Sequence, residues 1–261
     1  MPYRVDEPAD GRRPVIDDEQ LKRMLGKSVP GFFERNRFRI VTLILIAINA
    51  AVFAVEVLLS GMRFDVPATT LVDMGAMYAP LVQAGELWRL VSPMFLHMDL
   101  MHLAFNMAAL YSVGEVLERV LGRVGFVLLY FVAGITGNAV SYVADVLAGG
   151  VPSVSAGAST SVFGLFVAVA LLGVLHKRNR RMFAEYSKGM IGVIGVNVVY
   201  TLLVPSVSVS GHLGGALGGL LAMFMVPAKN LSVPNAVRVA VAVLWVAALG
   251  WTIASRGTFG L

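Results

Sequence analysis

The chain contains no cysteine. Disulfides, thiolate nucleophiles and cysteine-held metal clusters are excluded, and cysteine usage says nothing about a redox compartment. Charge is also scarce. Only 14% of the 261 residues are Asp, Glu, Lys or Arg, against about 25% in an ordinary soluble domain. So few charges cannot cover a water-facing surface. What fills the chain instead is apolar: 57% of residues are hydrophobic, gathered in long runs, the composition of an integral membrane protein. The first 39 residues are polar and carry both signs, with no short apolar run leading to a small-residue cleavage site. No signal peptide is read there.

A membrane-crossing helix needs roughly 20 apolar residues. Seven segments qualify, at approximately 40–60, 100–118, 124–147, 155–175, 189–204, 211–226 and 238–255. The fifth and sixth are short and must tilt little or borrow flanking residues. Lys and Arg collect on the cytoplasmic side of membrane proteins. With seven spans, eighteen of the twenty-one Lys and Arg fall on the side of the N-terminus, and only Arg63, Arg89 and Arg256 on the other. The asymmetry supports the span count and a cytoplasmic N-terminus. It also accounts for the net charge of +5 without nucleic acid as a partner. Within the tail, "IDDEQLKRMLGK" reads either as a short amphipathic helix after its acidic start or as disordered chain. The longest outer connection, 61–99, contains "GELWRLVSPMFLH" and is expected to lie partly in the membrane interface.

Polar side chains at membrane depth are costly and usually functional. The second span opens "HMDLMHLAFNM", with His97 at the outer rim and His102 and Asn106 four apart on one helix face. The fourth span opens "SAGASTSVFG", with Ser155 read as a helix start, Ser161 as packing, and Phe163 one turn below Ser159. The sixth opens "SGHLGGALGG", with His212 near its outer end and Gly211, Gly215 and Gly219 spaced for close helix contact. Gly164 and Ala168 offer a matching face. All three spans run from outside to inside, which brings Ser159, His212, His102 and Asn106 to one depth.

A serine hydroxyl is a weak nucleophile until a base takes its proton, and neutral His212 suits that task. An acyl-transfer intermediate needs donors for its oxyanion, and the Asn106 amide, a His102 ring N–H and the Ser159 backbone N–H qualify. The cytoplasmic carboxylates lie on the wrong side to complete a triad, so a Ser–His dyad is the economical reading. No metal is expected: "HExxH" is absent, and His97 and His102 are five apart and poorly placed on one helix face. Ser159 is also outside the G-x-S-x-G elbow pattern. Glu56 is expected to reach headgroups, Glu118 to pair with Arg119 or Arg123, and His176 to sit at the cytoplasmic interface beside "KRNRR".

Taken together, these motifs resemble those of the rhomboid intramembrane serine proteases. "ELWRLVSPMFLH" is similar to the family's Trp-Arg loop, with Trp88 and Arg89. "HMDLMHLAFNM" matches H-x4-H-x3-N, "GAST" matches the nucleophile motif with Gly157 and Ser159, and "GHLGGALGG" resembles H-x-x-G-x-x-x-G, with Gly215 and Gly219. Glu118 falls where the family has an acidic residue. Thr160 stands where Gly often follows the nucleophile, and Phe163 where some members stack a Tyr on the histidine.

The resemblance implies an all-α membrane protein: a six-transmembrane-helix bundle plus one additional C-terminal transmembrane helix. Its parts are a cytoplasmic tail 1–39, a core 40–226, and a linker with the seventh helix 227–261. It implies Ser159 as nucleophile, His212 as general base, and His102 and Asn106 stabilising the oxyanion. Trp88 and Arg89 belong to a membrane-embedded outer loop, and the fifth span acts as a lateral gate. No cofactor is implied. The partners implied are membrane lipid and transmembrane protein substrates, cut near the outer face of the cell membrane. Two other functions compete. A non-catalytic rhomboid-like protein that binds membrane proteins typically lacks the Ser or the His, and both are present. A small-solute transporter would carry inverted repeats or broken-helix pairs, and neither is seen.

Overall fold

The structure, a computed structural model, describes residues 36–149, 151–203 and 208–255, with the side chains of 197–203 outside the description. The chain divides into two units, Met1–Arg37 and Phe38–Leu261. Every element below belongs to the second. The tail segment 16–27, read as a possible amphipathic helix, lies outside the described residues, as does Arg256.

The long elements are helices. The first, α1 (Ile40–Leu59), is followed by an outer connection holding two short helices, α2 (Ala68–Met74) and α3 (Ala79–Gln83), a two-residue strand β1 (Met77–Tyr78), and 3-10 turns at Leu87–Leu90 and Ser92–Phe95. Next come α4 (Leu100–Ala148), strand β2 (Val154–Ser155), α5 (Ser159–Leu175), α6 (Arg180–Leu203), α7 (Val209–Met225) and α8 (Asn235–Ala254). Among the described residues, α1, α4 and α8 are long and apolar enough to cross a membrane; α5 and α7 are apolar but have 17 residues each. Length and composition are those of a multi-pass integral membrane protein.

The 49-residue α4 is not one rod. Gly122 has φ 75° and ψ 166°, a conformation open essentially to glycine alone. Asn106 and Asn138 lie 32 residues apart, about 48 Å along a straight helix at 1.5 Å per residue, yet both line one cavity. The chain therefore reverses at Gly122. Limbs 100–121 and 123–148 correspond to the two spans read at 100–118 and 124–147.

Core packing follows from residue size. α5 is apolar on every side and buried along most of its length, as befits a central helix. It packs against α4, α6 and α7. Leu110, Leu117, Leu129, Tyr130, Leu165, Leu172 and Met223 are completely buried in one cluster around it. Where α5 crosses α7, Gly164 faces Gly219. A Cβ on Gly164 would lie 2.8 Å from the Gly215 carbonyl oxygen, and one on Gly219 would strike the Gly164 backbone. Small residues let the two backbones meet.

Several expectations are sharpened or changed. α6 begins at Arg180, nine residues before the apolar segment 189–204. Its first turns carry Arg181, Glu185 and Lys188, good helix formers that a hydropathy reading passes over. Glu118 is turned toward α1, where its carboxylate accepts the Val41 and Thr42 backbone N–H groups, each at 3.1 Å, and the Thr42 hydroxyl at 3.2 Å. It thereby caps a helix start, where the first N–H groups lack partners inside the helix. The expected pairing with Arg123 is present as a long ion pair at 3.9 Å, while Arg119 pairs with Glu115 at 2.5 Å. His176 is buried, and its Nδ1 accepts the Arg178 and Asn179 N–H groups at 3.3 and 3.1 Å just ahead of α6. The change at Glu56 concerns the candidate site. On the same side the linker is knitted to the core: Lys177 N–H donates to the Asn230 carbonyl at 2.9 Å, Ser232 N–H to that of Leu175 at 2.8 Å, and Ala228 and Leu231 are buried in the core cluster. On α8, the Trp245 indole N–H donates to Thr136 Oγ1 at 2.9 Å.

Candidate active site

The outer connection is folded rather than loose. Arg89 is buried, and its guanidinium donates to the Val72 and Ala76 carbonyls at 2.7 and 3.0 Å and to Glu86 at 2.8 Å. Trp88 is half exposed and lies under the Arg89 guanidinium, 4.7 Å from ring centre to Cζ. Strand β1 pairs antiparallel with β2, Met77 opposite Ser155, and Gly157 N–H donates to the Pro93 carbonyl at 2.8 Å. Ser155 is thus a strand residue and caps no helix. α5 starts at Ser159, with Ala158 in the cap position and no side-chain cap. The N–H groups of its first turn have no acceptor inside the helix, the feature by which a helix start can hold an anion.

Ser159 is the first residue of α5 and His212 the fourth of α7. Their side chains meet: His212 Nε2 lies 2.8 Å from Ser159 Oγ. Phe163, one turn below Ser159, stacks on the His212 ring with centroids 4.1 Å apart and planes 20° from parallel, which fixes the imidazole plane without a hydroxyl. Ser208 caps α7, accepting the Gly211 N–H at 3.0 Å. A cavity of about 290 Å³ opens over the pair and is lined also by His102, Asn106 and Asn138. Asn106 Nδ2 donates to the His102 carbonyl at 2.9 Å, which occupies one of its two N–H bonds.

Gly157 has φ +138°; a Cβ there would lie 2.8 Å from His102 Nε2 and 3.4 Å from Ser159 Oγ. The glycine therefore keeps open the gap between the serine and His102. Thr160 fills a junction of three helices. Its side chain packs on Gly137 of α4 and Gly211 of α7, and its carbonyl lies against Gly215. Its hydroxyl is buried and makes no hydrogen bond.

The rim differs from expectation at two residues. Glu56 is completely buried and accepts the His97 backbone N–H at 3.0 Å, far from a headgroup role. The His97 and His102 rings meet edge-on, 5.2 Å between centroids. The helical spacing rule does not apply to them, because His97 precedes α4. Asn138 is a further residue of the site that the sequence motifs do not include. It lines the cavity and donates to the Leu90 carbonyl at 3.0 Å, and a lone amide inside an apolar run was its available signal. Among the described residues no group of His, Cys, Asp and Glu is arranged to hold a metal.

The arrangement brings together a hydroxyl, an imidazole within hydrogen-bond reach of it, and several N–H donors across a small gap. Chemically, such a set can pair a nucleophile with a base and receive an anion. The rhomboid domain family matches residues 84–229, from the outer turns through α7. Rhomboid protease GluP of Bacillus subtilis is 39% identical over 168 residues, covering 64% of this chain and 30% of that protein. Putative rhomboid protease YdcA of the same organism is 36% identical over 170 residues, covering 64% of this chain and 82% of that protein. Rhomboid-like protease 1 of Toxoplasma gondii is 35% identical over 156 residues, and there the chain spans about half of the relative's length. With a match over more than half its length, containing the serine, both cavity histidines and the asparagine, the chain belongs to the rhomboid family.

Proposed function

We propose that the protein is an intramembrane serine endopeptidase that cuts transmembrane segments of membrane proteins near the outer face of the cell membrane. The observation that carries this reading is the 2.8 Å contact between His212 Nε2 and Ser159 Oγ at the floor of a cavity lined by His102 and Asn106.

In the reaction, Ser159 Oγ attacks the substrate carbonyl carbon while His212 Nε2 takes its proton, which requires the neutral imidazole to carry its hydrogen on Nδ1. The carbonyl electrons move onto oxygen. That oxyanion is received by the Asn106 amide, the His102 ring N–H and the Ser159 backbone N–H. Collapse breaks the C–N bond, and His212 returns the proton to the leaving amine. Water, deprotonated by His212, then attacks the acyl-serine ester and releases the second product. Phe163 holds the imidazole plane through both halves.

The same reading places the N-terminus in the cytoplasm, with 1–39 as a tail, 40–226 as the six-helix catalytic core, and 227–261 as linker and appended seventh helix. It gives α6 the role of lateral gate. It calls on no cofactor, metal or nucleic acid; its partners are lipid and membrane-protein substrates. Purified protein with a fluorogenic transmembrane substrate tests it, alongside labelling by a serine-directed fluorophosphonate. Wild type is expected to cleave and to label. Ser159→Ala is expected to lose labelling and at least about three orders of magnitude in rate. An Ala variant as fast as wild type sinks the proposal.

A further inference from the structure

Glu56 stands in the last turn of α1 and is 0% exposed. Both carboxyl oxygens face one donor, the backbone N–H of His97, at 3.0 and 3.3 Å. Burying a carboxyl at membrane depth is expensive, so its place calls for a function. His97 lies where the outer connection turns into α4. Two residues later Asp99 caps that helix, its carboxylate accepting the His102 N–H at 2.8 Å. The His97 ring is completely buried and abuts the His102 ring at 65°. Phe53 and Val57 on α1, with Leu96 and Leu103 beside the two histidines, form one buried apolar cluster. His102 is thus backed by the His97 ring, and the His97 backbone is held by Glu56.

We propose that Glu56 is a positioning residue: by fixing the His97 backbone it seats the His97 ring behind His102 and aims His102 at the oxyanion space beside Ser159. The inference rests on the serine-protease reading of that site. Glu56 touches no reacting atom and acts only through the two histidines.

A double-mutant cycle on the full chain tests this, with kcat and KM measured on a fluorogenic transmembrane substrate. Glu56→Leu is expected to lower kcat about tenfold and leave KM within about twofold. Glu56→Gln, whose amide oxygen accepts the same N–H, is expected to stay within about threefold of wild type. In a His102→Ala background, Glu56→Leu is expected to cost less than about twofold, because its route of action is already gone. An equal loss in both backgrounds marks a merely structural role and overturns the proposal, as does a fully active Glu56→Leu. Should the Leu variant fail to fold, Glu56→Asp, one methylene short of the His97 N–H, enters the same cycle with the same criteria. A wild-type protein that cleaves nothing sinks the protease reading and this proposal with it. An active wild type with additive losses sinks the positioning role alone.

Discussion

At the scale of single residues, the site is governed by what surrounds Ser159 and His212. A base must be neutral to take a proton, and an imidazolium cannot. Rate is therefore expected to be full above the range where His212 protonates and to fall tenfold per pH unit below it. A flat pH–rate profile into acid, with chemistry limiting, would remove His212 from the base role. Gly157→Ala places a methyl group 2.8 Å from His102 Nε2 and demands φ +138° of an L-residue. That backbone costs on the order of 1–3 kcal/mol, and the methyl narrows the oxyanion gap. The expected result is a kcat reduced at least about tenfold with Ser159 still in contact with His212. An alanine variant with native kcat would show that the gap is not used.

At the scale of elements, helix contacts position the site. Glu118 caps α1 from α4. Glu118→Leu leaves the buried Thr42 N–H and the half-buried Val41 N–H without an acceptor, at about 1–3 kcal/mol for the buried one. Thermal unfolding in detergent is expected to shift down by several degrees, with Glu118→Gln intermediate. An unchanged Tm for the Leu variant refutes the capping role. The same elements mark how far the sequence could be read. Apolar runs located every long helix, since a lipid-facing or core helix must be apolar, but α6 was cut short because Arg180 to Lys188 are polar and helical at once. Ser159 and His212 were legible because hydroxyl and imidazole stand out in apolar runs at one depth. Glu56 was not. Its partner is a backbone N–H, which no residue type advertises, and a carboxyl near a helix end reads as solvated. A helical spacing rule passes over His97, although it lies ahead of the helix. Thr160 made sense only against Gly137 and Gly211, which come from two other helices.

At the scale of the whole molecule, α8 is the loosest addition. None of its residues is buried, and the Trp245–Thr136 bond is one polar tie, of a kind that contributes about 0.6 kcal/mol on average within membranes. The linker before it is different, since Ala228 and Leu231 belong to the core and Asn230 donates to the Val120 carbonyl at 3.1 Å. A chain truncated before Pro234 is expected to keep fluorophosphonate labelling of Ser159, whereas one truncated after Val226 is expected to lose it. Equal labelling of the two would show that the linker adds nothing to the core.

The reversal at Gly122 bears on how such a chain is built. One residue joins limbs 100–121 and 123–148, with the exposed side chains of Arg119 and Arg123 on either side of it. A connection that short leaves no slack between the limbs, so they are expected to enter the membrane as a single hairpin. The order of synthesis thus delivers the His102 and Asn106 half of the cavity together with the Asn138 half, as one preassembled wall.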